Sequence, residues 1–334
     1  MAENSDAPFQ NMSWFGLTIF EQDWWLKIAR GSGCLKEVQV QGSNGAVIGG
    51  LTYVMQRNAI GIPSGGSAHL SRLNAPIVSD ALSESEKASA LAQLIGKLPN
   101  ISFSFSISQH TPNAALIRQA FECAGFQCSE QINYSQAPED CVNRQGKKLR
   151  EHIKQARNQL NIIDLSPDEF ISFYQDNLRA ADNKKCYFPI ETARGLITAS
   201  LNRNPPQARI IAAHKKAAKR FCEQPTIDAA ICIVWDDERC YYWLSSRHNE
   251  SHPDAIKLLI ATAMEHAKML GLTFDADGAN TPGAQRLFKT IFRMANEERR
   301  YVLTRTSRLS QLYESNRSKV DKVKKIAVSL GLRQ

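Results

Sequence analysis

No stretch of this 334-residue chain approaches the roughly 18 to 20 consecutive apolar residues that a membrane helix requires. The first eleven residues are polar, with Glu3 and Asp6 in place of a basic and then apolar leader, so a cytoplasmic location is the expectation. Cysteine is present but unorganised. The eight thiols at 34, 123, 128, 141, 186, 222, 232 and 240 form no C-x-x-C pair and have no histidine at ligand spacing, which argues against a disulfide framework or a metal site. A surplus of acid is also lacking. With 41 basic against 33 acidic residues the net charge is +8, favouring an anionic partner such as a nucleotide diphosphate, tRNA, coenzyme A or an anionic membrane surface.

What is present is a repeated order of elements. In the first half, Leu35 to Gln41, Ala46 to Met55 and Asn58 to Ile62 have the Val/Ile/Leu/Tyr content of strands and are separated by glycine or asparagine turns. A helix follows, announced by the capping pair Ser83 and Glu86, with Ala88, Leu91, Leu94, Ile95 and Leu98 at helical spacing. Strand 101 to 107, helix 112 to 124 closed by Gly125, and strand 126 to 134 complete the unit. The second half repeats it: strands 208 to 214, 227 to 235 and 240 to 246, helix 253 to 270 stopped at Gly271, strand 272 to 275, a Thr281-Pro282 helix start, and strand 300 to 304. A period of about 165 residues is too long for a solenoid. The expectation is an α/β protein of two tandem domains, 1–145 and 146–307, each a mixed sheet flanked by helices, with a basic helix over 308–334 packing back on the body. The polar segment from Ser135 to Gly146 is read as the linker.

The two copies differ in their polar equipment. Aligned on Thr111-Pro112 and Thr281-Pro282, Asp275 falls on Phe105, Asp277 on Ile107, Gly278 on Ser108 and Lys289 on Gln119. The charges that a group-transfer site needs are therefore in the second copy. Helix 147–160 carries an apolar stripe of Leu149, Ile153, Ala156 and Leu160. Beside it runs a basic one, Lys147, Arg150, Lys154 and Arg157, which reads either as a solvated flank or as the phosphate-facing side of a cleft. The loop Gly61 to Ser67 reads as an anion nest or a plain loop. Ser251, His252 and Asp254 are triad residue types, but helix capping explains them better.

Two tandem units, the helix K-K-L-R-E-H-I-K-Q-A and the F-D-A-D-G…F-K signature (Phe274 to Gly278, Phe288-Lys289) together resemble the Fem-type branch of the GNAT acyltransferase superfamily. The resemblance spans about residues 14 to 334, with its specific part in 147–160 and 241–303. It departs from the usual family pattern at Gly146, Gln155, Ala276 and Asp277. What it implies is an N-acyltransferase moving an aminoacyl or acyl group to an amine of a cell-envelope precursor, a peptide or an amino sugar. No cofactor would be held tightly; the donor would be aminoacyl-tRNA or acyl-CoA. It further implies a V-shaped gap between strands 240–246 and 272–275, with Lys289, Asp275 and Asp277 as catalytic candidates and Arg150, Lys154, Tyr242, Ser245, Gly278 and Phe288 as substrate-binding ones. Many GNAT enzymes grip the coenzyme A pyrophosphate with a glycine-rich loop at the following helix start. Here that position reads R-H-N-E-S-H-P-D-A, Arg247 to Ala255, without glycine and with Glu250 and Asp254, which argues against acetyl-CoA. The alternatives are a CoA-dependent N-acetyltransferase and a non-catalytic GNAT-like module that binds RNA or a protein through its basic helices.

Overall fold

Period-two and period-3.6 patterning place most of the elements. In this computed structural model, which describes residues 18–58, 61–140, 145–180, 186, 188–216, 226–313 and 315, a 3₁₀ turn (Ile19–Glu21) leads into helix α1 (Asp23–Ala29). Strands β1 (Cys34–Gln41), β2 (Val47–Arg57), β3 (Pro63–Gly66) and the short β4 (Ile77–Val78) follow. Then come α2 (Glu84–Gly96), β5 (Ser102–Ser108), α3 (Ala114–Cys123) and β6 (Gln127–Gln136). The second half holds α4 (Lys147–Gln159), β7 (Leu160–Asp164), α5 (Pro167–Ala180), α6 (Ile190–Leu201), β8 (Ala208–Lys215), β9 (Ile227–Trp235) and β10 (Arg239–Arg247). It ends with α7 (Ala255–Met269), β11 (Thr273–Asp275), α8 (Pro282–Gln285) running into a π-helical turn (Arg286–Ile291), and β12 (Asn296–Arg305).

The sheets expected of the two halves run together into one sheet of order β1-β2-β3-β5-β12-β6-β11-β10-β9-β8-β7, with β4 beside β2. The last strands have changed places. β12 from the second half lies between β5 and β6 of the first, antiparallel to both, and β6 of the first half pairs with β11 of the second. Ser135 and Gln136, expected in a linker, are thus buried strand residues opposite Asp275 and Phe274. Their burial is what joins the halves, and the connection to α4 begins only after them.

Three apolar clusters hold the sheet. Phe103, Phe105 and Ile107 of β5 point into one with Leu91, Leu94 and Ile117 of α2 and α3, while the intervening serines take the opposite face. Leu149, Ile153 and Ala156 of α4 pack with Leu258, Leu259 and Ala263 of α7 over Phe274 and Cys240, so the expected apolar stripe is the packed one. On the other face of the second half, α1, α5 and α6 cover Tyr241, Trp243 and Val234. The Trp24–Trp25 patch joins that cluster, with Trp25 fully buried edge-on against Trp243. Trp14 lies outside the described residues.

Some boundaries moved. The strand expected over 58–62 is not seen at its described residues 58, 61 and 62, where Gly61 N–H donates to Asn58 O and Ile62 N–H to Asn58 Oδ1; the strand begins at Pro63. The glycines beyond it serve close approach. A Cβ on Gly65 would stand 2.2 Å from the Phe103 ring and one on Gly66 2.1 Å from Ser104 O, so only glycine lets β3 lie parallel to β5. The region read as an anion nest is this strand. Of the closing helix, only its start at 308–313 and residue 315 are described, and there Leu309 and Leu312 are exposed instead of covered. The remainder of the 308–334 segment lies outside the described residues. No described helix is long and apolar enough to cross a membrane.

Candidate functional site

β10 and β11 run parallel for three residue pairs, Arg239 with Thr273, Cys240 with Phe274 and Tyr241 with Asp275. β11 then stops, while β10 continues to Arg247, and a bulge between Tyr242 and Leu244 takes Trp243 out of the ladder with β9. The end of β11 beside the longer β10 falls where the family resemblance implied a gap, and side chains alternate to the two faces of the pair.

On the face of Asp275 lies a row of buried charges. Arg300 Nη2 donates to Asp275 Oδ1 at 2.9 Å, and its Nη1 to Asp277 Oδ1 at 2.9 Å. Arg239 Nη1 lies 3.0 Å from the other oxygen of Asp275 and 2.9 Å from Glu298. Arg72 Nε is 2.7 Å from Asp277 Oδ2, close enough for an ion pair although its N–H is not aimed along the contact. Asn133 donates to Asp275 and accepts from Gly278 N–H, and Ser135 donates to Glu298. Three guanidiniums thus meet three carboxylates. Burial opposes the charge of Arg300, but Asp275 and Asp277 outweigh it and raise its pKa; for Asp277 burial wins over Arg72 and Arg300 and its carboxyl is pushed up. Asp277 is past the strand end with φ +56°, followed by Gly278 at +98°, so the glycine serves the turn.

The row ends at a cavity of about 300 Å³ lined by Glu21, Asp80, His110, Asp236, Arg239, Tyr241 and Asp275 among others. His110 Nε2 lies 3.2 Å from Glu298 Oε1 with its side chain half exposed. Burial pushes the Glu21 and Asp236 carboxyls up, against hydrogen bonds that act the other way.

The opposite face holds another group of the expected residues. The Tyr242 ring stands edge-on to buried Phe288 at 5.8 Å, and its phenol is pushed up to about 12 by burial, with Ser245 acting in the other direction. Lys289 does not join the carboxylates. Its side chain is 63% exposed and its Nζ lies 2.8 Å from Glu297, which also accepts from Tyr134. Arg150 and Lys154 are exposed on α4, whereas Arg157 of the same stripe pairs with Glu265. At the start of α7, the Asp254 carboxylate is held by His152 Nδ1 at 3.0 Å and by Lys257; burial works against its charge, but these partners prevail and its pKa is lowered.

Arg72, His110, Arg239, Glu298 and Arg300 were not signalled by the sequence, since none lies in a local pattern and their contacts cross 23 to 205 positions of chain. The S-Q-H-T-P run of the first half, matching G-A-N-T-P of the second, is the one hint that His110 sits at an equivalent turn. Among the described residues, no group of His, Cys, Asp and Glu is arranged to hold a metal ion.

No protein-family model and no curated protein matches the chain. Solved structures do. FemX aligns with a TM-score of 0.58 at 12% identity, over 89% of this chain and 94% of its own. A C-terminal domain (DUF2156) assigned to a lysylphosphatidylglycerol synthetase of Agrobacterium fabrum gives 0.53 at 14%, over 89% and 92%. A tandem GNAT protein from the clavulanic acid biosynthesis pathway gives 0.51 at 12%, over 82% and 83%. The chain has the tandem GNAT fold, of the Fem-like kind.

Proposed function

We propose that this protein is an N-acyltransferase that moves an aminoacyl or acyl group to a primary amine at the gap between β10 and β11. The observation that carries this reading is the short parallel contact of β10 with β11, where β11 ends while β10 runs on through the bulge at Trp243, on a fold shared with FemX and a lysylphosphatidylglycerol synthetase domain. In the reaction the amine nitrogen bonds to the acyl carbon, the bond from that carbon to the donor oxygen or sulfur breaks, and the amine proton leaves. Tyr242, Ser245 and Phe288 form the donor side, with Lys289, Arg150 and Lys154 as cations at its rim. Asp275, Asp277 and Gly278 shape the acceptor side, the two carboxylates acting through the guanidiniums they hold. The halves 1–145 and 146–307 are copies of one unit, and the acceptor is an amine of a cell-envelope precursor, peptide or amino sugar.

An aminoacyl ester is favoured over acyl-CoA as donor. Asp254, fixed at the start of α7 by His152 and Lys257, sets a carboxylate where a helix N-terminus would otherwise attract phosphate. Incubating the protein with charged tRNA or with acetyl-CoA, alongside a panel of amino sugars and short peptides, and looking for amide products by mass spectrometry tests the reading. Amide from the tRNA donor is expected; no amide from either donor would refute it.

A further inference from the structure

The gap between β10 and β11 is bridged by a side chain from the other half of the molecule. Arg72 sits on the loop between β3 and β4. That loop is anchored on several sides: His69 N–H donates to Ala29 O, Leu70 O accepts from Trp243 Nε1, Ser71 Oγ accepts from Trp25 Nε1, and Asn74 N–H donates to Ser106 O. From this footing the guanidinium reaches Asp277, just past β11, with Nε at 2.7 Å, and the Trp243 carbonyl in β10 with Nη2 at 3.2 Å. Trp243 is the residue the bulge frees from β9. Nη1 has no partner among the described residues, and the side chain is 38% exposed while its carboxylate partner is 1% exposed. The cation is thus held at Nε and Nη2 and is partly exposed. It also begins the row of alternating charge, Arg72, Asp277, Arg300, Asp275, Arg239, Glu298, whose cationic end stands in the gap and whose anionic end meets His110 at the cavity.

Resting on the acyl-transfer reading, we propose that Arg72 is a catalytic residue whose Nη1 binds the acyl oxygen in the gap and stabilises it as an oxyanion. When the amine attacks, the carbonyl π electrons move onto that oxygen and the guanidinium donates a hydrogen bond to it. Collapse restores the carbonyl and expels the donor oxygen, which takes up a proton as the amine gives one up. Preorganised donors of this kind act where negative charge develops and need no reorganisation during the reaction. The exposed Lys289, on the opposite face and paired with Glu297, is not required for this role.

The test uses methylphosphonate, a tetrahedral oxyanion, titrated into the full-length protein and followed by NMR at the Arg72 Nε–H and Trp243 Nε1–H signals. Saturable shifts at both are expected. In Arg72→Met the Trp243 response should weaken at least tenfold in apparent affinity, with part of it restored in Arg72→Lys. No shift in the wild type, or an undiminished Trp243 response in Arg72→Met, would overturn the assignment. If the Met variant fails to fold, the wild-type Arg72 signal and the Lys variant decide. Amide formation by a protein that ignores the phosphonate would remove Arg72 while leaving acyl transfer in place; phosphonate binding at Arg72 without amide formation from any donor would keep the anion subsite and remove the transfer reading.

Discussion

Arg300 is the residue on which the buried row turns, because it alone touches both Asp275 and Asp277 and is itself 6% exposed. Removing one partner from a buried ion pair leaves an uncompensated charge, so Arg300→Met should lower stability by about 3–5 kcal/mol, read as a shift of the urea midpoint. Lys289→Ala should leave that midpoint unchanged, since its pair with Glu297 is exposed and screened. A small Arg300 effect would mean that the row contributes little. At this scale the sequence was legible only in part. F-D-A-D-G marks Asp275, Asp277 and Gly278 as unusual because polar residues interrupt an apolar strand end. Their partners at 72, 239 and 300 look like ordinary arginines, and only tertiary structure brings them together.

The short turn Ile19–Glu21 shows how a small element can tie the halves. Glu21 accepts from Thr18 N–H and from Ala75 N–H, and Asp236 accepts from Ile19 N–H and the Tyr241 hydroxyl. Both carboxyls are raised by burial above their ordinary values of 4.5 and 3.8. For acids raised in the folded state, the stabilisation is complete below the ordinary value and is lost as pH rises through the folded one. Stability should therefore decline as pH climbs from about 4.5. Glu21→Gln should cost about 1 kcal/mol through the lost acceptor yet flatten that decline. Urea titrations across pH with parallel slopes for the two proteins would contradict this account. Elements with strong caps and stripes, α2, α4 and α7, were readable in advance. α5 was not foreseen although Ser166 and Glu169 form a reciprocal cap, a signal present in S-P-D-E; β3 was misplaced because its glycines serve packing against Phe103, which a local reading takes for a loop.

Across the whole molecule, the repeat in the sequence disclosed the order of most elements, missing β7, α5 and α6 among others, but not their pairing. Register between strands nearly 200 positions apart, such as Leu303 with Phe105, leaves no local trace. With β12 inside the first half and β6 completing the second, the protein should unfold in one cooperative transition, with circular dichroism and tryptophan fluorescence coinciding; two separated transitions would show independent domains. Closing such distant pairings is also slow, so refolding should lag behind that of a helical protein of similar size. The reciprocal exchange has a consequence for inheritance. Neither half completes its sheet without a strand of the other, so neither could be deleted, shuffled into another gene or replaced by a foreign relative without breaking both. A substitution in the half that lacks the acidic motif therefore reaches the charged row as well, since that half supplies Arg72, His110 and Asn133 to it.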